Sequence, residues 1–397
     1  MQLAFWKKKK DSPNKKKKPV WREWIDAALF AIIAATIIRT FFIEAYTIPT
    51  PSMEGSMLVN DFLFVSKTAY GPRIPNTPIA FPLVHNTMPI TGGKSYSESV
   101  HWKYKRLPGF GNVERNDVVV FNFPNGDTVV AEMPDQDYYD ICRKSGGREA
   151  VHSMYTIITR PVDKKENYIK RCIGLPGDKL QIIDGIVYIN DKPGEVFPHS
   201  QMHYIVETNT AGLSQDFLED NHIQFLEGAG NKYLLNVPND KLEILRKNPN
   251  VVNIALQQLP RLSTADMAFP HDAVNFQWNR DNYGPFVVPK KGVTITLSAA
   301  NIAFYRRIIA NYEGNQLEEK DGKFFINGKE TNSYTFKMDY YWMMGDNRHD
   351  SADSRYFGFV PEDHIVGKAS FVWLSYEGSL FNLRWKRLLR SVHSLSH

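Results

Sequence analysis

Three hydroxyl side chains lie close together in the segment TIPTPSMEGSMLVND, which runs from Thr47 to Asp61. Thr50, Ser52 and Ser56 each carry an oxygen that a neighbouring base could turn into a nucleophile. Serine, glycine and proline are also common in linkers, so the segment is equally consistent with a plain connection. The residue types alone leave open which of the three hydroxyls, if any, does chemistry.

A lysine lies inside an apolar strand pattern in YIKRCIGLPGD, which runs from Tyr168 to Asp178. Alternation along a strand places Lys170 and Cys172 on one face and Arg171 on the other. Burial would lower the pKa of the Lys170 amine and make it a general base near neutral pH. The residues alone favour the alternative, a solvated lysine at a sheet edge.

A dense polar cluster lies in MGDNRHDSADSRYFGFVPEDHIVGKA, from Met344 to Ala369. Its carboxylates alternate as in a metal-binding loop, but no glutamate closes the loop at the expected distance. A hydrogen-bonded network that holds an active site together is the more consistent interpretation, and we expect neither a metal ion nor a cofactor. We expect structural roles for His349 and His364.

These three segments, in this order after an apolar N-terminal segment, resemble those of bacterial type I signal peptidases. The resemblance also covers RNDVVVFNFP and AYGPRIP, and its longest motifs are YIKRCIGLPGD and GDNRHDSADSRYFGFVP. It implies that Ser52, which precedes Met53 after an Ile-Pro pair, is the nucleophile and that Lys170 is the general base. It also implies an oxyanion hole formed by the Thr50 hydroxyl and the backbone N–H of Ser52.

The resemblance also assigns supporting roles in the last motif. Ser351 and Asp353 match side chains that support the lysine, and Arg355 matches the arginine that pairs with this aspartate. The implied mechanism is that of a Ser/Lys dyad, in which neutral Lys170 takes the proton of Ser52 as the serine attacks.

The chain departs from the family pattern at several positions. Gly55 and Ser56 stand where Pro-Thr is usual, which leaves Ser56 a structural role. Asn60 and Asn116 stand where glycine is common, and we expect the same turns because asparagine tolerates positive φ. Thr50 stands where serine is commoner, and its hydroxyl can do the same work.

The charge of the chain is concentrated in one place. The net charge is +5 over 397 residues, yet KKKKDSPNKKKK, at positions 7–18, alone holds eight lysines and one aspartate. The rest of the chain is close to neutral, which argues against a body that binds nucleic acid. Nucleic-acid binding by the lysine-rich tail remains an alternative.

The two cysteines, Cys142 and Cys172, form no disulfide framework, and either one bridge or two free thiols fits.

The apolar stretch after the lysines is predicted to be one uncleaved membrane anchor, at 21–46. A cleaved signal peptide fits less well because AYT, at 45–47, is a poor cleavage site, and a buried amphipathic helix is the other alternative. Arg39 lies deep for a spanning segment. Lysines before the anchor place the N-terminus in the cytoplasm and the body across the membrane.

The body is predicted to be mainly β, a signal-peptidase-like antiparallel β catalytic domain with an N-terminal transmembrane helix and an inserted α+β subdomain. Strands are expected at 61–67, 116–123 and 167–174, and FPNGD, at 123–127, is expected to be a hairpin turn. The predicted units are a basic cytoplasmic tail (1–20), the anchor (21–46), a first catalytic part (47–192), an insertion (193–330), a second catalytic part (331–376) and a basic C-terminal tail (377–397).

Together these features predict a membrane-anchored serine endopeptidase. It would remove signal peptides from exported preproteins at the outer, periplasmic face of the cytoplasmic membrane. Its expected partners are preprotein signal peptides and the lipid bilayer, with the secretion machinery as a further candidate and no nucleic acid. A self-cleaving Ser/Lys repressor would need a DNA-binding domain and no anchor, and an inactive membrane-tethered scaffold would not need both Ser52 and Lys170.

Overall fold

The computed structural model describes residues 19–126 and 128–397, so nearly all of the predicted basic tail lies outside the described residues. The fold is mainly β, as predicted. The strands are β1 (Ile43–Thr47), β2 (Asp61–Ser66), β3 (Val118–Asn122), β4 (Thr128–Val130), β5 (Ile157–Thr159), β6 (Asn167–Gly174), β7 (Lys179–Ile183), β8 (Ile186–Ile189), β9 (Lys192–Pro193), β10 (Gln201–Thr208), β11 (Gln224–Ala229), β12 (Lys232–Pro238), β13 (Val251–Leu256), β14 (Tyr283–Val287), β15 (Thr294–Thr296), β16 (Leu317–Lys320), β17 (Lys323–Ile326), β18 (Lys329–Thr331), β19 (Ser333–Thr335), β20 (Tyr340–Met344), β21 (Val360–Pro361), β22 (Ile365–Glu377), β23 (Ser379–Leu383) and β24 (Arg390–Ser391). The α-helices are α1 (Val20–Phe41), α2 (Tyr138–Lys144), α3 (Arg148–Met154), α4 (Gln215–Asp220), α5 (Leu242–Arg246), α6 (Ile302–Arg307), α7 (Ser354–Phe357) and α8 (Val392–Ser396).

A curled antiparallel sheet forms the body, in the order β1-β2-β22-β3-β6-β20-β21. The long strand β22 pairs with both β2 and β3, and the register shifts along both pairings are the irregularities that bend a sheet. The β3 segment VVVFN is buried on both faces, and it pairs with β6 so that Val119 lies opposite Lys170. The sheet therefore brings strands from both ends of the chain to one site.

Helix α1 precedes the sheet and is the one helix in the described part of the chain that is long and apolar enough to cross a membrane. It has 22 residues and a mean hydropathy of 1.7, and none of its residues is fully buried by the rest of the described chain. The helix ends at Phe41, five residues before the end of the predicted range 21–46. The reason is that Ile43–Thr47 pair with β2 as a strand.

The predicted insertion, 193–330, contains two different kinds of structure. Strands β10 to β13 form a separate four-stranded sheet, with its own core around Val206 and Leu235. In contrast, β14 pairs with β7, and Phe286 packs in the same core as Trp342. The later part of this range is thus continuous with the main body.

The C-terminal residues, predicted as a basic tail at 377–397, fold back onto the sheet. Strands β23 and β24 pair with β22, and Val392 packs in the core that also holds Met53. Arg387 forms an ion pair of 2.5 Å with the fully buried Asp61. Apolar burial and this pairing, which composition alone does not show, hold the segment against the loop 48–61 that carries Ser52.

The fold also tests the predictions for the FPNGD turn and for the two cysteines. The hairpin predicted at FPNGD is wrong, because β4 pairs with β5 and β3 pairs with β6 and β22. Cys142 and Cys172 are free thiols, and burial raises the pKa of Cys172 above its usual value.

Candidate active site

The loop that carries Ser52 is fixed on both sides by buried side chains. Ser52 lies in a short 3-10 turn, Pro51–Met53, directly after the chain leaves β1. Met53 and Met57 are fully buried beneath the turn, which makes the two methionines of the motif packing residues. Asn60 closes the loop with a φ of 66°, and Asn116 has a φ of 70°, so the turns expected at these two asparagines are confirmed.

Strand β6 places Lys170 against this loop. Its Nζ donates a hydrogen bond of 2.7 Å to the Ser52 Oγ, although 118 residues separate the two in sequence. Lys170 is 4% exposed, so the solvated-edge interpretation is wrong. Burial lowers the pKa of Lys170 to about 8, although the charges of Asp353 and Asp346 act to raise it. About a tenth of this amine is therefore neutral at pH 7, far more than for a lysine at its usual pKa.

The Thr50 side chain lies on the exposed side of the same loop. Its Oγ1 is 3.3 Å from the Ser52 Oγ, and either oxygen can donate the hydrogen bond. Thr50 is solvent-exposed, so its hydroxyl can reach an incoming substrate. The structure thus brings Thr50, Ser52 and Lys170 together, in line with the motif-based assignment.

Asp353 and Arg355 form a buried ion pair behind the lysine. The Arg355 Nε donates to the Asp353 Oδ1 at 2.9 Å, and its Nη2 donates to Oδ2 at 2.8 Å. Burial alone would raise the pKa of Asp353, but the Arg355 charge and hydrogen bonds hold it below its usual value. Asp353 therefore stays ionised and supplies the largest opposing charge to the buried ammonium of Lys170.

Ser351 is buried in the same segment as this pair, but it makes no hydrogen bond to Lys170. Its Oγ has no hydrogen-bond partner among the described residues, so its predicted support of Lys170 stays a prediction. The residue that it crowds is Gly345. A Cβ at position 345 would lie 2.2 Å from the Ser351 Oγ and 2.4 Å from the Ser52 carbonyl oxygen. Only glycine fits this close approach to Ser52, and the motif did not single out Gly345 for it.

A second buried ion pair lies next to Lys170, and the sequence did not reveal it. The Asp346 carboxylate accepts from the Arg171 Nε at 2.8 Å and from its Nη2 at 2.6 Å. Ser56 donates to the same carboxylate at 2.6 Å, which gives this serine the structural role expected for it. The adjacent residues Lys170 and Arg171 thus have separate contacts, Lys170 with Ser52 and Arg171 with Asp346. The signal for this pair in the sequence was the I-K-R triplet.

The separate sheet of the insertion also contacts the site. The Gln201 N–H donates to the Asp346 carbonyl oxygen at 2.9 Å, and the Gln201 carbonyl accepts from the Arg348 N–H at 2.9 Å. The Asn236 Nδ2 donates to the Asn347 Oδ1 at 3.2 Å. The Asn347 N–H in turn donates to the Ser52 carbonyl oxygen at 3.2 Å. Nothing in the sequence of β10 or β12 indicated this connection.

The two histidines of the last motif lie away from the nucleophile. His349 accepts from the His203 N–H at 3.1 Å through Nδ1 and contacts Asp281 at 3.0 Å through Nε2. His364 pairs with the neighbouring Asp363 at 2.7 Å. Burial lowers the pKa of both rings, in line with structural roles.

Comparison with known proteins places this chain in a family. A family model described as signal peptidase, peptidase S26, matches residues 21–251 and 333–374. A signal peptidase I of Rickettsia felis is 25% identical over 367 residues, which cover 92% of this chain and 83% of that protein. A signal peptidase I of Buchnera aphidicola is 24% identical over 351 residues, which cover 88% of this chain and 75% of that protein.

These matches show first that the chain belongs to a class of proteases. More narrowly, the chain belongs to the signal peptidase family S26, and the resemblance to bacterial type I signal peptidases is confirmed. The matched range begins within α1, so the apolar N-terminal helix is part of what the family shares.

Proposed function

We propose that the protein is a membrane-anchored serine endopeptidase that removes signal peptides from preproteins, with Ser52 and Lys170 as its catalytic dyad. The observation that carries the proposal is the 2.7 Å contact between the Lys170 Nζ and the Ser52 Oγ, made by a lysine that is 4% exposed. Membership of the signal peptidase family supports the substrate class.

Burial of Lys170 is what makes the contact useful for catalysis. A lysine at its usual pKa is protonated at neutral pH and accepts no proton, whereas a pKa of about 8 leaves part of the population neutral. The neutral amine takes the Ser52 proton as Oγ attacks the scissile carbonyl carbon. The resulting ammonium then gives that proton to the leaving amine, and neutral Lys170 next activates water to hydrolyse the acyl-enzyme.

The oxyanion of each tetrahedral intermediate needs donors on the exposed side of Ser52. We assign this role to the Thr50 hydroxyl and the Ser52 backbone N–H, because Thr50 is exposed and its Oγ1 lies 3.3 Å from the nucleophile. Each such donor typically contributes about 3 kcal/mol to transition-state stabilisation.

Two free strand edges suggest how the substrate binds. β1 ends the sheet and, among the described strands, pairs with β2 alone. The first half of β6 pairs with β3 on one side, and no described strand pairs with its other side, because β20 covers only Arg171–Gly174. We propose that the signal peptide adds as an extended strand between these edges, which lead to Ser52 and Lys170 respectively.

The position of the anchor sets where cleavage takes place. Only one residue separates α1 from β1, so the catalytic site stays close to the membrane surface. We propose that the N-terminus is cytoplasmic and the body lies at the outer face, since lysines precede the anchor. The proposed catalytic domain comprises 47–192 and 331–376 together with the part of 193–330 from β14 onwards, which packs in the same core, and the sheet of β10 to β13 is the inserted unit.

The test is cleavage of a purified preprotein by the full-length protein in detergent. Ser52→Ala and Lys170→Met should each lower kcat/KM at least about 1000-fold, since each removes one member of a unit that acts together. Ser153→Ala and Lys247→Met change the same residue types at exposed positions and should leave cleavage unchanged. Undiminished cleavage by either dyad variant would contradict the assignment, and no cleavage by the wild type would favour an inactive scaffold.

A further inference from the structure

A cavity of about 200 Å³ lies where the last turn of α1 meets β1 and the loop 73–85. We call it the anchor cavity. Its wall contains four cationic side chains and two carboxylates. The charged side chains that line it are Arg39, Lys67, Arg73, Lys164, Glu44 and Asp163. The cavity also contains His85, whose pKa is lowered by burial, so this ring adds no charge at neutral pH.

The carboxylate at the centre of this wall is shared between two cations. The Glu44 Oε1 lies 2.6 Å from the Arg39 Nε, and its Oε2 lies 2.8 Å from the Lys67 Nζ. One negative charge therefore faces two positive charges. The anchor cavity keeps an excess of positive charge, which favours an anionic ligand.

Two further groups in the cavity have unused hydrogen-bonding capacity. Lys164 is 8% exposed, its ammonium makes no ion pair or hydrogen bond within the described residues, and the ring of Tyr96 lies 5.4 Å from its Nζ. Asp163 accepts from Thr77 through Oδ2, but its Oδ1 is buried without a described partner. Buried polar groups normally have partners. A ligand that carries both an anion and a hydrogen-bond donor would satisfy both groups.

The surroundings of the cavity indicate where such a ligand comes from. The end of a membrane-spanning helix lies at the level of the lipid headgroups, and Thr36, Arg39 and Thr40 at the end of α1 line the cavity. The adjoining loop exposes Phe81 and Leu83, each more than half exposed. Apolar side chains next to a cationic cavity are typical of a surface that meets the membrane.

We propose that the anchor cavity binds the headgroup of an anionic phospholipid. Lys164 and Lys67 would face the phosphate, and the free Oδ1 of Asp163 would accept a hydrogen bond from a headgroup hydroxyl. Phosphatidylglycerol has both groups, whereas the choline of phosphatidylcholine has no hydrogen-bond donor. The proposal depends on α1 crossing the membrane and does not depend on the dyad.

The experiment measures lipid binding on the full-length chain carrying Ser52→Ala, so that its outcome is independent of catalysis. Native mass spectrometry would count the lipids retained after transfer from nanodiscs of phosphatidylcholine with or without phosphatidylglycerol. We expect selective retention of phosphatidylglycerol. Lys164→Gln should weaken it about tenfold, the effect of losing one charge-assisted hydrogen bond. Lys164→Arg should restore most of it, and the exposed control Lys247→Gln should leave it unchanged.

Three results would overturn the proposal. The first is equal retention of phosphatidylglycerol by Lys164→Gln and Lys247→Gln. The second is full competition by millimolar inorganic phosphate, which would identify a site for free phosphate. The third is a loss of signal-peptide binding in Lys164→Gln with lipid retention unchanged, which would identify the cavity as part of the peptide groove.

Discussion

Replacing Gly345 with alanine is expected to misplace Ser52 without unfolding the protein. The new Cβ would lie 2.4 Å from the Ser52 carbonyl oxygen and 2.2 Å from the Ser351 Oγ, whereas ordinary contact begins at about 3.4 Å. Either the backbone at residue 345 or the Ser52 backbone must move by about 1 Å. A misplacement of that size near the reacting atoms lowers the rate about 100-fold. The overpacking itself should lower the free energy of unfolding by only about 1–3 kcal/mol.

The assay compares kcat/KM for a signal-peptide substrate with the urea midpoint of unfolding for each variant. Gly93→Ala is the matched control, because a Cβ at that position meets only the Thr91 Oγ1, at 3.7 Å. The control should match the wild type in both measurements. A Gly345→Ala enzyme within about threefold of wild-type kcat/KM would show that the approach of Gly345 to Ser52 does not position the nucleophile.

The remaining predictions concern the base, its supporting loop and the insertion. Because Lys170 must be neutral and its pKa is about 8, kcat/KM should rise about tenfold per pH unit below pH 8 and level off above it, and a flat profile from pH 6 to 9 would contradict this. Asp346→Asn leaves the buried Arg171 unpaired and should lower the free energy of unfolding by about 3–5 kcal/mol in urea titrations, so a change below about 1 kcal/mol would contradict it. Asn236→Ala removes the bond to Asn347 and should lower kcat about tenfold with little change in KM, whereas a change confined to KM would indicate a role in substrate binding.

The structure brings the motif residues Thr50, Ser52 and Lys170 together, and their catalytic roles stay a prediction, whereas the residues alone misjudge the environment of Lys170. Its position in a strand was read correctly, since β6 spans the predicted residues 167–174. Its burial depends on the turn at Ser52, which lies 118 residues earlier in the chain. Local alternation does not include such a contact, so the residues alone favour a solvated lysine and only the family resemblance indicates a buried base.

Long-range packing also explains what the sequence argument missed. Hydropathy predicted an anchor up to residue 46 because it does not register that Ile43–Thr47 pair with β2. Composition marked 377–397 as a basic tail, although Arg387 pairs with the buried Asp61. The bond from Asn236 to Asn347 joins residues 111 positions apart, and neither is unusual in its local sequence.

The central claim is that Ser52 forms a covalent acyl-enzyme with Lys170 as its base. The most direct measurement is rapid acid quenching of the enzyme with a signal-peptide substrate, followed by mass spectrometry of the peptide that holds Thr50, Ser52 and Ser56. The account predicts a mass increase equal to the acyl fragment, located on Ser52, and its loss in Lys170→Met. Location of the adduct on Thr50 or Ser56, or an undiminished adduct in Lys170→Met, would contradict it.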